Sequence, residues 1–168
     1  MTDAVDEFWL QNIGKYKDYD FKSITKGKVD LTKVGANKET KKDSGNKINN
    51  KINDLAILLK NELKESISDV IISSRLTKSP VLLVAEESGM DINMEKLMKM
   101  HNQKTPDSKK ILEINAEHPM IVKISENLSS FDHKKVSQVI LDQANILDGN
   151  VLSNPTGYTE SLTELFIK

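Results

Sequence analysis

The most regular apolar pattern in the chain predicts a long amphipathic helix before its midpoint. Ile48, Ile52, Leu55, Leu59 and Leu63 follow one another at steps of three and four residues. That spacing puts them on one face of a helix of about five turns. We expect this face to pack into a hydrophobic core.

Three short runs with strand character come next. They cover residues 69–74, 80–85 and 110–115, and the third follows the turn signal of residues 105–108. Pro80 is tolerated at the start of a strand because no ladder donor is needed there. Residues 75–79 join the first two runs, so the pattern predicts a β-hairpin and, with the third run, a small three-stranded sheet.

A short methionine-rich helix is predicted between these strands, over residues 91–101. Asp91 is a suitable N-cap. Projection at the helical period puts Met94, Leu97, Met98 and His101 on one face, and Met90 lies just before the helix. The glutamate and lysines of this stretch fall elsewhere on the helix, so the helix is amphipathic.

Three helices are predicted in the last third of the chain. They begin at about His118, at about residue 131 and at Asn154, and prolines at 119 and 155 occupy favourable first-turn positions. Two sets of side chains form wide apolar faces on the last two helices: Val136, Val139, Ile140, Gln143, Ala144 and Leu147, then Tyr158, Leu162, Leu165 and Phe166.

These two faces are larger than a small sheet could cover. Pairing both helices with their copies in a second chain would give a four-helix bundle closed by two-fold symmetry. In the alternative, both helices fold back on residues 48–63 and the chain is a monomeric interaction module. The pattern predicts an α+β fold in either case, and we expect the dimer, with the ten residues of the two faces as its interface.

The first fifty residues predict no complete domain. Residues 6–17 favour a helix and residues 21–25 a strand, and these two elements cannot enclose a core. Residues 32–50 are rich in Lys, Asn, Gly, Thr and Ser and are typical of a flexible linker.

Composition excludes several classes of function. The 168 residues hold 24 basic and 25 acidic side chains, for a net charge of −1, so no strong field draws the chain to nucleic acid or to an anionic membrane. The absence of cysteine excludes disulfides and thiolate sites. Neither a signal peptide nor an apolar run of the roughly 20 residues that span a membrane is present. We therefore expect a cytoplasmic protein.

No catalytic, cofactor-binding or metal-binding motif is present in the sequence. His101, His118 and His133 lie far apart, and His118 beside Pro119 is better interpreted as a capping or packing residue. There is no phosphate-binding glycine loop and no nucleophile elbow. We expect no enzyme activity, no cofactor and no metal in this chain.

Several short segments resemble one family in order and spacing. They are Thr2-Asp3 with Asp6-Glu7-Phe8, Ser74-Arg75-Leu76-Thr77 with Ser79-Pro80, Asn93-Met94-Glu95, Leu112-Glu113-Ile114-Asn115 with His118-Pro119, and Leu141-Asp142-Gln143-Ala144. The chain is similar to the ninety-kilodalton heat-shock chaperones, in their bacterial branch. Ala116, where the family often has proline, and Asn145, where leucine is usual, depart from its pattern.

The resemblance implies a domain organisation and a function. Residues 1–31 would be the end of the family's middle domain, 32–46 a linker and 47–168 the C-terminal dimerisation domain. The ATP- and magnesium-binding domain of the parent chaperone would lie outside this chain. Because the sequence ends without an acidic tail, no co-chaperone is expected to bind there.

The resemblance also implies contact with unfolded client proteins through the methionine-rich helix. Unbranched methionines adapt to varied apolar partners. The client-binding positions would be Phe8, Trp9, Met90, Met94, Leu97 and Met98. In the alternative, the same helix face packs on the sheet, and Trp9 belongs to the core of the intact middle domain.

Overall fold

The computed structural model describes residues 13–20, 45–86 and 109–167, together with Ile92, Glu95 and Met98. The chain divides into two compact units. The smaller comprises Met1–Gly35 and Val84–Lys109, and the larger comprises Ala36–Leu83 and Lys110–Lys168.

The described part of the smaller unit begins with the end of a helix and a tight hairpin. Ile13 is helical, and strands β1 (Lys15–Tyr16) and β2 (Tyr19–Asp20) pair antiparallel. The prediction of a helix to residue 17 is therefore wrong at its end. Gly14 has a φ of +61°, which only glycine adopts without steric cost, so the helix stops there. The strand predicted at 21–25 lies outside the described residues.

The methionine-rich segment is described at three positions, all of them helical. Ile92 and Glu95 are buried and Met98 is half-buried. The predicted helix is therefore confirmed at these positions.

The larger unit starts with α1 (Gly45–Glu62), whose apolar face is the one that the sequence predicts. Ile52, Leu55 and Leu59 are fully buried, and Leu63 just after the helix is nearly so. Their enclosure confirms that the helix is held by its packed face.

A three-stranded sheet follows, made of β3 (Ile67–Ile72), β4 (Val81–Val84) and β5 (Lys110–Ile114). The strand order is β3-β5-β4, and β3 pairs with β5 in parallel. The predicted hairpin is therefore wrong, because β5 lies between the two strands that were expected to pair. Leu112 and Ile114 are completely buried, and a strand with such side chains gains most from the central position.

Three helices complete the unit, and the side chain of the preceding residue caps each of them. His118 Nδ1 accepts the Met120 amide of α2 (Pro119–Glu126) at 3.2 Å, which confirms its capping role. Asp132 accepts the Lys135 amide of α3 (His133–Leu147) at 3.1 Å, and Asn154 caps α4 (Pro155–Ile167). Caps of this kind contribute roughly 0.5–2 kcal/mol each.

The core lies between the sheet and the helices. It draws on one face of α1, on all three strands of the sheet, on α2 and on the inner side of α3. Its largest fully buried apolar members in this unit are Ile52, Leu55, Leu59, Val81, Leu112, Ile114, Ile121, Val136 and Ile140. The predicted α+β class with a three-stranded sheet is confirmed.

The only arginine of the sequence ties the connection after β3 to the central strand. Arg75 Nε lies 3.1 and 3.0 Å from the two carboxylate oxygens of Glu113, and Nη2 lies 2.6 Å from one of them. The two side chains are only 16% and 5% exposed. A planar fork is needed for such a bidentate contact, which explains why arginine rather than lysine stands here.

Candidate interaction surface

The predicted interface residues of α3 divide into buried and exposed groups. Val136, Val139, Ile140 and Ala144 are at most 3% exposed within a single chain, and all but Val139 belong to its core cluster. A substitution of Ile140 by aspartate would therefore place a charge in this core. We expect such a variant to unfold, so it would not test whether two folded copies associate through α3. The predicted interface residues that remain exposed or half-buried in a single chain are Gln143, Leu147, Tyr158, Leu162, Leu165 and Phe166.

Leu147 shows how the core ends along α3. It follows Ile140 by two turns and lies on the same side of the helix, yet it is 48% exposed whereas Ile140 is fully buried. Leu147 is the last residue of α3, so it projects beyond the side chains that enclose Ile140. The apolar arc thus continues past the edge of the core.

Helix α4 packs against α3 along its own apolar stripe. Tyr158, Leu162 and Leu165 are half-buried, and Leu165 also contacts the core cluster. Across Pro155–Ile167, all of which the structure describes, no side chain is fully buried. A terminal helix with an apolar stripe that is only half covered has apolar surface left for a further contact.

An ion pair between the start of α3 and the end of α4 shows that the two helices run antiparallel and form a helical hairpin. Lys135 Nζ, in the first turn of α3, lies 2.9 and 2.8 Å from the carboxylate oxygens of Glu164, near the end of α4. The hydrogen bond to Glu164 raises the pKa of Lys135. The hydrogen bond from the Lys135 amide lowers the pKa of the Asp132 carboxyl.

Exposed apolar side chains concentrate on this hairpin. Of the ten large apolar residues that are exposed in the described part of the chain, five lie within residues 146–167. We call these five the terminal apolar surface: Ile146 (46% exposed), Leu147 (48%), Val151 (93%), Phe166 (81%) and Ile167 (80%). Because the two helices run antiparallel, Ile146, Leu147 and Val151 lie at one end of the hairpin and Phe166 and Ile167 at the other, so the exposed apolar positions are spread along the hairpin. Exposed apolar surface of this kind is typical of a protein–protein contact.

Sequence reasoning assigned Leu147 and Phe166 to the interface and did not assign Ile146, Val151 or Ile167 to it. The helical projection does place Ile146 at the edge of the α3 arc. Val151 belongs to the connection between the helices, where no periodicity exists, and Ile167 lies opposite the stripe of α4. Their exposure follows from the packing of the two helices and not from a local pattern.

Gln143, another predicted interface residue, is half-buried on α3. Its side-chain oxygen has no hydrogen-bond partner within the described part of the chain, and the same is true of the buried hydroxyl of Ser137. Neither atom lies on the exposed side of the hairpin. The side-chain oxygens of Gln143 and Ser137 therefore lie apart from the terminal apolar surface.

The predicted client-binding positions are described only at Met98, which is half-buried. Phe8, Trp9, Met90, Met94 and Leu97 lie outside the described residues.

The described residues bring together no group of three or more histidine and acidic side chains that would hold a metal ion. None of the described helices combines the length and the hydropathy that crossing a membrane requires.

Comparison with known proteins gives one consistent result. A family model described as "Hsp90 protein" matches residues 1–168. Chaperone protein HtpG of Roseobacter denitrificans is 37% identical over 168 residues, which cover 96% of this chain and 27% of that protein. Chaperone protein HtpG of Nitrosomonas europaea is 34% identical over 171 residues, covering 100% of this chain and 26% of that protein.

A third relative, chaperone protein HtpG of Ruthia magnifica, is 33% identical over 98% of this chain and 26% of its own length. The chain thus spans about a quarter of the length of the curated relatives that it matches. Because the family model covers the chain from its first residue to its last, the chain belongs to the Hsp90 protein family.

Proposed function

We propose that this chain is the C-terminal dimerisation module of an ATP-dependent molecular chaperone that assists the folding of non-native proteins. The terminal apolar surface is the contact between two copies. The observation that carries the proposal is the concentration of half to fully exposed apolar side chains on α3, on α4 and on their connection. Membership of a family whose matched relatives are named chaperones supports the chaperone role.

The energetics favour pairing of the hairpins of two copies. Burial of a leucine-sized side chain contributes roughly 1.5–3 kcal/mol. In a two-fold contact each residue is buried twice, so one such side chain contributes about 3–6 kcal/mol per dimer. The nearly fully exposed Val151, Phe166 and Ile167 contribute at this level and the half-exposed Ile146 and Leu147 about half of it, so burial of most of the terminal apolar surface offsets the loss of free motion on association.

A permanent contact of this kind has a mechanistic use. It holds two longer chains together, so that later association of their other domains becomes effectively intramolecular. ATP and magnesium binding, and the hydrolysis of ATP, belong in this proposal to the three quarters of the relatives' length that this chain does not span.

Sedimentation of the unaltered chain tests the proposed function. We expect a dimer at micromolar concentration, with reversible dissociation on dilution. A chain that sediments as a monomer throughout the accessible concentration range would instead support the alternative, a monomeric interaction module whose terminal helices pack only within one subunit.

Client contact is the second part of the proposal. Met94→Ser with Leu97→Ser is expected to weaken suppression of the aggregation of an unfolded model protein, because the substitutions remove apolar surface from the predicted client face. The melting temperature should stay within a few degrees of the unaltered chain. Aggregation is followed by light scattering and melting by circular dichroism.

Lys96→Ser with Lys99→Ser is the matched control on the other side of the same predicted helix. This pair should leave the suppression of aggregation unchanged. A large fall in melting temperature for the Met94 and Leu97 pair would show that their face belongs to the core, and client contact through it would be abandoned.

A further inference from the structure

A network of polar side chains connects the end of α3 to the central strand of the sheet. Lys110 Nζ, at the start of β5, lies 3.2 Å from Asp148 Oδ2, just after α3. Asn150 Nδ2 donates to the same Asp148 oxygen at 3.0 Å and to Asn145 Oδ1 at 3.2 Å. We call these four side chains the polar latch.

The latch is shielded from solvent. The side chains of Lys110 and Asp148 are only 17% and 9% exposed, whereas the Lys60–Asp69 pair, which also joins a helix to a strand, is about half exposed. Shielding makes the latch sensitive to geometry, because a buried ion pair repays its desolvation only when the partners meet in a favourable arrangement.

Asp148 stands where helix stability alone would not favour it. It is the C-terminal cap of α3, and its amide donates to Ala144 O. The C-terminal end of a helix carries partial negative charge, so a carboxylate there is unfavourable, and Lys110 supplies the opposite charge. The acid at position 148 is therefore explained by its tie to β5 and not by the stability of α3.

The latch fixes the direction in which the chain leaves α3. Gly149 has a φ of +77° and its amide donates to Ile146 O, while the Asn150 amide donates to Asn145 O. Only glycine adopts this conformation readily, so the turn reverses the chain within two residues. Asn145 Nδ2 in turn donates to Leu141 O at 3.1 Å, which holds the Asn145 side chain against its own helix.

From this geometry we propose that the polar latch is a positioning device, which sets the direction of α4 relative to the sheet and so shapes the terminal apolar surface. Helix α4 needs such a device because none of its side chains is fully buried. Asn145, where leucine is usual in the family pattern, is part of the device. This inference rests on the proposed function only for the effect on dimerisation.

The decisive variant replaces the ion pair by two apolar side chains of similar size, Lys110→Met with Asp148→Leu. Such replacements of buried ion pairs often preserve stability but remove the directional contact. Lys110→Met with Asp148→Asn gives a second version that keeps a polar group at position 148. The matched control is Lys60→Met with Asp69→Asn, which removes the exposed ion pair between α1 and β3 and leaves a side-chain oxygen at position 69 that can accept the Val70 amide.

Spin labels report the direction of α4 within one chain. The sequence has no cysteine, so Lys123→Cys on α2 and Glu160→Cys on α4, both at exposed positions, supply the only two labelling sites. Labelled chains are diluted into an excess of unlabelled chain, and pulsed electron resonance gives the intrachain distance distribution. We expect a narrow distribution for the unaltered latch and for the control, and a broader or shifted one for both latch variants.

The dissociation constant of the dimer is measured on the same variants without labels. We expect it to rise roughly tenfold for the latch variants, within the usual range of coupling between sites, and to stay unchanged for the control. A distance distribution identical to that of the unaltered latch would overturn the proposal. A changed distribution with an unchanged dissociation constant would overturn its second half, the effect on the contact surface.

Failure of the proposed function gives a different result. In that case the unaltered chain itself would sediment as a monomer. The distance measurement would still decide whether the latch positions α4.

Discussion

Leu147→Asp with Phe166→Asp is expected to turn the dimer into a folded monomer. Both side chains belong to the terminal apolar surface, and their exposure of 48% and 81% leaves room for a solvated carboxylate in the free subunit. In the dimer the same carboxylates would be buried without partners. Because each change counts twice at a two-fold contact, loss of the nearly fully exposed Phe166 costs about 3–6 kcal/mol, or a factor of roughly a hundred to ten thousand in dissociation, and loss of the half-exposed Leu147 costs about half as much free energy.

Light scattering at micromolar concentration measures this result, and circular dichroism shows whether the subunit stays folded. Ile57→Asp is the matched control, since Ile57 is a comparably exposed apolar residue on α1. That variant should remain a dimer. If the double variant also remains a dimer, the two copies meet elsewhere and the terminal apolar surface has another role.

Arg75→Met is expected to destabilise the larger unit strongly. It leaves the Glu113 carboxylate, only 5% exposed, in the sheet without the guanidinium that now binds both of its oxygens. Removal of one partner of a buried ion pair costs about 3–5 kcal/mol, a large share of the stability of a domain of this size. Urea denaturation followed by circular dichroism measures the loss.

Three further variants separate the causes of this loss. Arg75→Lys keeps the charge but not the fork, so we expect an intermediate loss. Arg75→Met with Glu113→Leu should recover much of the stability, since no uncompensated charge remains. Lys60→Met, at an exposed pair, should cost at most about 1 kcal/mol. Equal losses for Arg75→Met and Lys60→Met would show that burial of the Arg75 pair has no energetic weight.

The sequence by itself determined the elements whose causes are local. The helical period determines which side chains of α1 share its apolar face. Three of them, Ile52, Leu55 and Leu59, are buried as predicted. The caps of α2 and α4 were predictable for a similar reason. His118 before Pro119 and Asn154 before Pro155 satisfy the first amides of the helix from within the same few residues.

Tertiary structure decided which strands pair. Residues 69–74 and 80–85 look like the two halves of a hairpin when only neighbours along the chain are considered. The burial of Leu112 and Ile114 instead puts β5 between β3 and β4, and the Arg75–Glu113 ion pair fixes the connection to it. A partner that is nearly forty residues away leaves no trace in local periodicity.

Tertiary structure also decided which part of the apolar arc of α3 faces inward. The periodicity of the arc is the same at Ile140 and at Leu147, so sequence alone assigned both residues to the interface. The first is enclosed by the core of its own subunit, whereas the second projects past the edge of that core. Periodicity determines the side of a helix on which a residue lies, but the extent of the neighbouring elements determines whether that side is covered.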